Sequence, residues 1–289
     1  MRFLALFSCM IAALNSSAQT PERSGYDIWA TDYSEAKELF AYGNKVMVRS
    51  DSSSSATIVD SIFLGDKVKL LHKTNSFSTI NNIYAPWIAI SYAANKKGYV
   101  WLGLMAFQQL IKEDTVFLYG LDKITTKNIE PGFAETKFLI GLKAAHQNKL
   151  LDKKEWTIAG DESSTYVQSK LLGDMGLQNT HDVLRINLGG EACGIPTNYF
   201  YHAWNGQKFF NLPTKYSVGD ADVFYHAETL LFPAEKGGKP GYIIKLMEEE
   251  EMLEEETDKK PAKYKKSSGK EVYSWNGEKA LKVQTVKLK

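Results

Sequence analysis

From Lys45 to about Leu104, apolar and polar positions alternate in short runs broken by polar turns. Val46-Met47-Val48-Arg49 alternates and runs into a Ser-rich loop, Ser50 to Ser55. Ile58 to Phe63 follows as an apolar run, and Leu64-Gly65-Asp66-Lys67 marks a turn. Val68-Lys69-Leu70-Leu71 is the next strand, followed by a polar loop predicted from His72 to Ala85. Trp87 to Tyr92 and Gly98 to Trp101 complete the set. About five short strands at this spacing predict a small barrel over residues 44–104.

The stretch 113–289 also reads as strands. Candidates are Thr115 to Leu121, Lys137 to Lys143, Glu155 to Ala159, Asp182 to Leu188, Tyr199 to Trp204, Asp222 to His226, Gly241 to Met247 and Val272 to Trp275. Two segments share the core W-N-G-x-K, at Trp204 to Lys208 and at Trp275 to Lys279. Asn-Gly predicts a two-residue type I′ hairpin turn, in which both central residues take positive φ. The repeat predicts a β-rich domain of repeated antiparallel meanders.

The N-terminus has a different pattern. Arg2, the apolar run Phe3 to Leu14 and the small residues Ser16-Ser17-Ala18 read as an export signal over residues 1–18. That run is shorter than the ~20 apolar residues a bilayer crossing needs, and no other stretch approaches that length, so no transmembrane segment is expected. Leu6-Phe7-Ser8-Cys9 is loosely similar to a lipoprotein cleavage box, but Phe7 is bulky for it and the apolar run before Cys9 is short. Residues 19–43 read as a polar linker. Within it, Thr31 to Tyr42 fits a short helix, with Ala36, Leu39 and Phe40 on one face, as well as it fits an ordered linker.

Composition sharpens this picture in three ways. Aromatic residues make up 12% of the 289 residues, which favours half-buried pleated surfaces and a mainly β fold. The net charge of +1, with no basic face, argues against a nucleic-acid partner. Cleavage after Ala18 leaves Cys193 as the one cysteine, so no internal disulfide supports the fold.

The order VMVRSDSSSSATIVDSIFLGDKVKLL…APWIAISYAANKKGYVWLGLM resembles a bacterial SH3-like domain. Val46, Val48, Arg49, Gly65, Val68, Trp87, Ile90, Gly98, Tyr99 and Val100 fill the positions of that family's V-x-V-R strand, G-D-x-V turn, W-x-x-V strand and closing G-Y-V. The segment Lys73 to Pro86 is longer than the family's usual tight loop. The resemblance implies affinity for peptidoglycan peptides or another envelope protein, with Tyr84, Trp87, Tyr92, Tyr99 and Trp101 as candidate ligand-binding residues. The competing role for each ring is the core of the barrel, and Tyr84 and Tyr92 are expected to be the more exposed pair. Farther on, Gly173-Asp174 followed by His181-Asp182-Val183-Leu184 is similar to the loop of FG-GAP and VCBS propeller blades. Gly176, Gln178 and Asn179 replace the carboxylates that would chelate calcium, so this likeness implies propeller-like strand order and no metal.

Catalytic signals are sparse. Cys193, in a Gly-rich stretch before Pro196, reads either as a nucleophile served by His181, His202 or His226 or as a thiol in a turn; the flanking glycines and Pro196 favour the turn. The five histidines show no metal-ligand spacing, and no phosphate-binding glycine loop or cofactor motif is present. Glu248 to Glu251 and Glu254 to Glu256, followed by Lys259, Lys260, Lys263, Lys265 and Lys266, read as a charge-balanced hairpin rather than a cation site. The expectation is an exported, non-enzymatic binding or scaffolding protein of the periplasm or cell surface. The alternatives are a wall hydrolase using Cys193 and an inhibitor or immunity-type protein that caps an envelope enzyme.

Overall fold

The computed structural model describes residues 37–130, 133–160, 165–166, 169–189, 193–220, 223–254 and 260–288. Residues 1–18, expected as an export signal, with Cys9, and residues 19–36 lie outside the described residues, as do Glu191, Asp222, Glu255, Glu256 and Lys259. The chain is mainly β, with twenty strands, one 3-10 turn at Leu102–Leu104 and no α-helix among the described residues.

Six strands form the first sheet, which curls into a half-barrel. They are β1 (Glu38–Phe40), β2 (Lys45–Arg49), β3 (Ile58–Phe63), β4 (Lys67–Ile80), β5 (Ile83–Tyr92) and β6 (Lys96–Trp101), in the order β1-β4-β5-β6-β2-β3. The alternation of β2 is reproduced: Val46 and Val48 are fully buried and Lys45 is exposed. The polar segment expected as a loop from His72 to Ala85 is instead one long hairpin. β4 continues to Ile80, and Asn81 and Asn82, both at positive φ, turn the chain into β5. The β4 arm carries polar and half-exposed side chains while Ile83 and Ala85 of the β5 arm are buried in the core, so the hydrophobicity of the β4 arm alone does not reveal it.

Where the structure describes it, the helical reading of Thr31 to Tyr42 fails. Glu38, Leu39 and Phe40 pair with Lys69, Val68 and Lys67 as a strand. Extended backbone sends successive side chains to opposite faces, so Leu39 and Phe40 enter two different apolar clusters instead of sharing a helical stripe.

The second sheet is a meander of β7 (Gln108–Lys112), β8 (Thr115–Glu130), β9 (Phe133–His146) and β10 (Lys149–Ala159). The third contains β11 (Thr165–Tyr166), β12 (Lys170–Leu171), β13 (Asp182–Gly189), β14 (Thr197–Trp204), β15 (Phe209–Asn211), β16 (Lys215–Asp220), β17 (Phe224–Leu231), β18 (Tyr242–Glu254), β19 (Lys263–Trp275) and β20 (Ala280–Leu288). Strands β16 to β20 run as one antiparallel meander, continuous rather than divided into blades.

The two W-N-G-x-K segments fold alike, but not as two-residue turns. Trp204 pairs with Phe209 and Trp275 with Ala280, leaving four-residue loops. Only the glycines, Gly206 and Gly277, take positive φ. Asn205 and Asn276 each accept backbone N–H bonds on Oδ1 from the second and third residues after them. An Asx bond of this kind substitutes for the left-handed conformation that a type I′ turn requires of its first central residue.

One apolar cluster runs from Leu39 through the half-barrel and the second sheet to Leu184, Ile186, Leu188, Trp204 and Phe209 of the third. The join between the first two sheets rests on Tyr42. Its ring lies against Gly120, where an added Cβ would approach within 3.1 Å of ring atoms, and beside Gly141, the cross-strand partner of Gly120. The Tyr42 hydroxyl donates to Asp122 Oδ1 at 2.9 Å. Lys143 donates to the Tyr42 carbonyl at 2.8 Å, with its ammonium 4.0 Å from the ring centroid. Burial pushes the Lys143 amine down to about 8. A Cβ on Gly141 would collide with the Tyr42 hydroxyl and the Asp122 carboxylate. Gly141→Ala is therefore expected to destabilise the fold by about 1–3 kcal/mol, read as a lower urea midpoint; an unchanged midpoint would show that Tyr42 is not seated by this glycine pair.

Candidate functional site

The five candidate aromatic residues do not form one groove. Trp87 and Trp101 are cross-strand partners and both are buried. The Trp87 indole N–H donates to Ser78 Oγ at 2.8 Å, and that of Trp101 to the Ala85 carbonyl at 3.0 Å. Both therefore take the core role. Tyr92, expected to be exposed, is buried as well, and its hydroxyl reaches Asp60 Oδ2 at 3.3 Å. Tyr84 is half-buried and stacks on Phe77 at 4.9 Å. Eight residues of strand separate Tyr84 from Tyr92, roughly 26 Å at ~3.3 Å per residue, too far to grip one small ligand together. Tyr99 is half-buried on β6, opposite Ala89 and Arg49.

What this half-barrel does present is its end strand. β3 closes the sheet order and, among the described residues, pairs only with β2. Ile58 is 51%, Val59 53% and Phe63 44% exposed. The sequence locates the strand, but nothing in the run IVDSIF tells an edge from a centre.

Cys193 is exposed, in the turn between β13 and β14. Two of the three histidines considered as its base are held elsewhere. His202 is buried, with Nδ1 3.2 Å from Asn211 Oδ1 and its ring 5.2 Å from that of Trp156. His226 stacks on Tyr216 at 4.3 Å, and its Nδ1 lies 3.2 Å from Glu249 Oε1. Ser267 donates to the other Glu249 oxygen, and this bond and the His226 contact hold that carboxyl below its usual range. The charged hairpin forms as read. Glu250 opposes Lys266 and Glu254 opposes Lys263 across β18 and β19, with ion pairs of 3.0 and 3.2 Å. Among the described residues no three His, Cys, Asp or Glu side chains converge to hold a metal ion.

A second surface feature is a polar cleft of about 480 Å³ where the β7–β8 turn meets the segment 174–182. Lys112, Glu113, Asp174, Thr180, His181 and Asp182 line it, and Phe117 and Trp204 supply its apolar part. The segment is shaped by local bonds: Asp174 Oδ1 accepts from the Gly176 N–H at 2.8 Å, and the His181 N–H donates to the Trp204 carbonyl at 2.7 Å. Gly206 of the first W-N-G-x-K loop faces the His181 ring so closely that a Cβ there would lie 2.9 Å from it. Asp182 is almost wholly buried, and burial raises its carboxyl above the usual range against the pull of Lys112, whose ammonium is 3.7 Å away. The sequence flagged Asp174, His181 and Asp182 as a loop. It gave no signal for Lys112 and Glu113, which only the packing of the second sheet on the third brings near.

Neither a family model, nor a curated protein, nor a solved structure matches the chain.

The buried His202 generates a pH dependence. Burial pushes its imidazole down to about 4, below the ordinary value of ~6.5. Between those values the unfolded chain binds the proton that the folded one refuses. Stability therefore falls as pH drops from about 6.5 to 4, by on the order of 3 kcal/mol. Urea midpoints measured across that range are expected to fall more steeply for the wild type than for His202→Phe; parallel slopes would exclude His202 as the cause.

Proposed function

We propose that this chain is an exported, non-enzymatic binding protein of the bacterial envelope, whose SH3-like half-barrel takes an extended peptide segment along β3. The observation that carries this reading is the end strand itself. Sheet edges are normally shortened, charged or covered, because their unpaired N–H and C=O groups template further strands. Here the edge instead exposes three large apolar side chains. Ser61 and Phe63 already donate their N–H groups to Asp60 and Asp66, so an added strand would displace those local bonds, pair with the remaining edge groups and bury the apolar side chains in the same step. The export segment and the SH3-like order of residues 44–104 support a wall peptide or an envelope protein as the source of the segment. The exposed Cys193, in a turn with His202 and His226 engaged elsewhere, supports a binding rather than a hydrolytic role.

Co-sedimentation of residues 19–289 with purified sacculi tests the reading, beside an Ile58→Lys/Val59→Lys double variant. The wild type is expected to pellet and the double variant to stay in solution with an unchanged melting temperature. Equal pelleting of the two would remove β3 from the binding surface. Wild-type protein that stays in solution would exclude the wall as the source of the peptide.

The exposure of Cys193 keeps the hydrolase reading testable. Incubation with sacculi is expected to release no soluble fragments, before or after alkylation of Cys193. Release that alkylation abolishes would establish the hydrolase.

A further inference from the structure

The cleft between the β7–β8 turn and the segment 174–182 is remote in sequence from β3 and chemically unlike it. We infer that it is a binding site for a hydroxyl-rich saccharide, held chiefly by Asp182 and Lys112. The cleft volume of about 480 Å³ lies within the roughly 300–1,000 Å³ typical of small-ligand sites. Its walls come from separate parts of the chain: the β7–β8 turn, the 174–182 segment and the first W-N-G-x-K loop. The loop contributes at Gly206, whose missing side chain leaves room for the His181 ring.

The chemistry of the lining selects the ligand class. Asp182 is a nearly buried carboxylate whose nearest cation, Lys112, stands 3.7 Å off, beyond hydrogen-bond length. Its acceptor capacity is thus available to a ligand, and a buried carboxylate gains most from partners that donate hydrogen bonds to it. Asp174 and Glu113 add acceptors, Lys112 adds a donor, and Thr180 and His181 serve in either sense. A hydroxyl both donates and accepts, so a polyol satisfies the whole set. An ammonium ligand would only donate and would stand against Lys112. A phosphate would only accept and would face three carboxylates. Phe117 and Trp204 floor the cleft but are themselves buried in the core, so recognition rests on the polar groups.

The test is titration of residues 19–289 with maltose, cellobiose and chitobiose. Inorganic phosphate and 1,4-diaminobutane represent the competing ligand classes. Saturation-transfer NMR detects the bound ligand and calorimetry gives its affinity. At least one disaccharide is expected to bind, and Asp182→Asn is expected to weaken it roughly ten- to a hundredfold, as loss of a hydrogen bond to a charged group does. Because Asp182 is buried, Lys112→Ala serves as the second variant. Its side chain is half exposed, and its loss is expected to weaken binding severalfold in a chain that still folds, as a cooperative urea transition shows. Amide shifts on sugar addition are expected at residues 112–117 and 174–182. Binding by phosphate or the diamine in place of sugar, affinity unchanged in both variants, or no binding by any disaccharide would each overturn the assignment. The Ile58→Lys/Val59→Lys variant is expected to keep sugar binding, so failure at β3 and failure at this cleft are distinguishable.

Discussion

The seating of Tyr42 on the Gly120–Gly141 pair is the contact on which the arrangement of the first two sheets depends. Two glycines face each other across β8 and β9, and the ring occupies the space their missing side chains leave. Around it the polar groups are satisfied in sequence: the hydroxyl by Asp122, the carbonyl by Lys143, and Asp122 in turn by Lys153 at 2.9 Å. A buried ammonium and carboxylate this close to an apolar core are tolerated because each has a partner, the Tyr42 carbonyl for Lys143 and Lys153 for Asp122. The short strand β1, immediately before Tyr42, is thereby fixed to both sheets, and its side chains divide between two apolar clusters.

The same device recurs at β13 and β14. Leu184, Ile186 and Leu188 enter the large core that begins in the half-barrel, while Val183, Tyr201 and Ala203 enter a second cluster with Leu230, Phe232, Ile243 and Trp275. A strand buried on both faces reads as a nearly unbroken apolar run, and VLRINL does so. Beyond this pair the third sheet grows more polar, and its outer hairpin β18–β19 faces water with paired Glu and Lys. Exposed pairs of this kind add little stability each.

The two surfaces with functional potential arise from opposite physical situations. At β3, among the described residues, no strand covers the outer edge and apolar side chains lack cover, a combination that association relieves. In the 174–182 cleft a carboxylate is desolvated but incompletely paired, a combination that a polar ligand relieves. The aromatic residues that first suggested a groove lie at neither place. The half-barrel is small, and its largest rings are spent on holding it together, which leaves recognition to its edge.

Much of the fold was legible in the chain. Every segment chosen as a strand between Lys45 and Trp275 falls on a strand, apart from the undescribed Asp222 and the turn residues Val223 and Gly241 at segment starts, because period-two alternation and β-branched or aromatic content report a pleated surface directly. The W-N-G-x-K repeat marked two loops that prove identical in construction. Strand lengths were not legible: the outer parts of β4, β8, β18 and β19 are polar, and their order comes from backbone pairing with a neighbour that local sequence does not name. The N-terminal strand was not legible, because the spacing of Ala36, Leu39 and Phe40 fits a short helix as well as it fits an ordered linker. Which aromatic rings are buried, which strand is left at an edge, and which residues meet Asp182 were decided by tertiary structure alone. Burial and proximity are properties of the partners a segment acquires, and those partners lie tens of residues away in the chain.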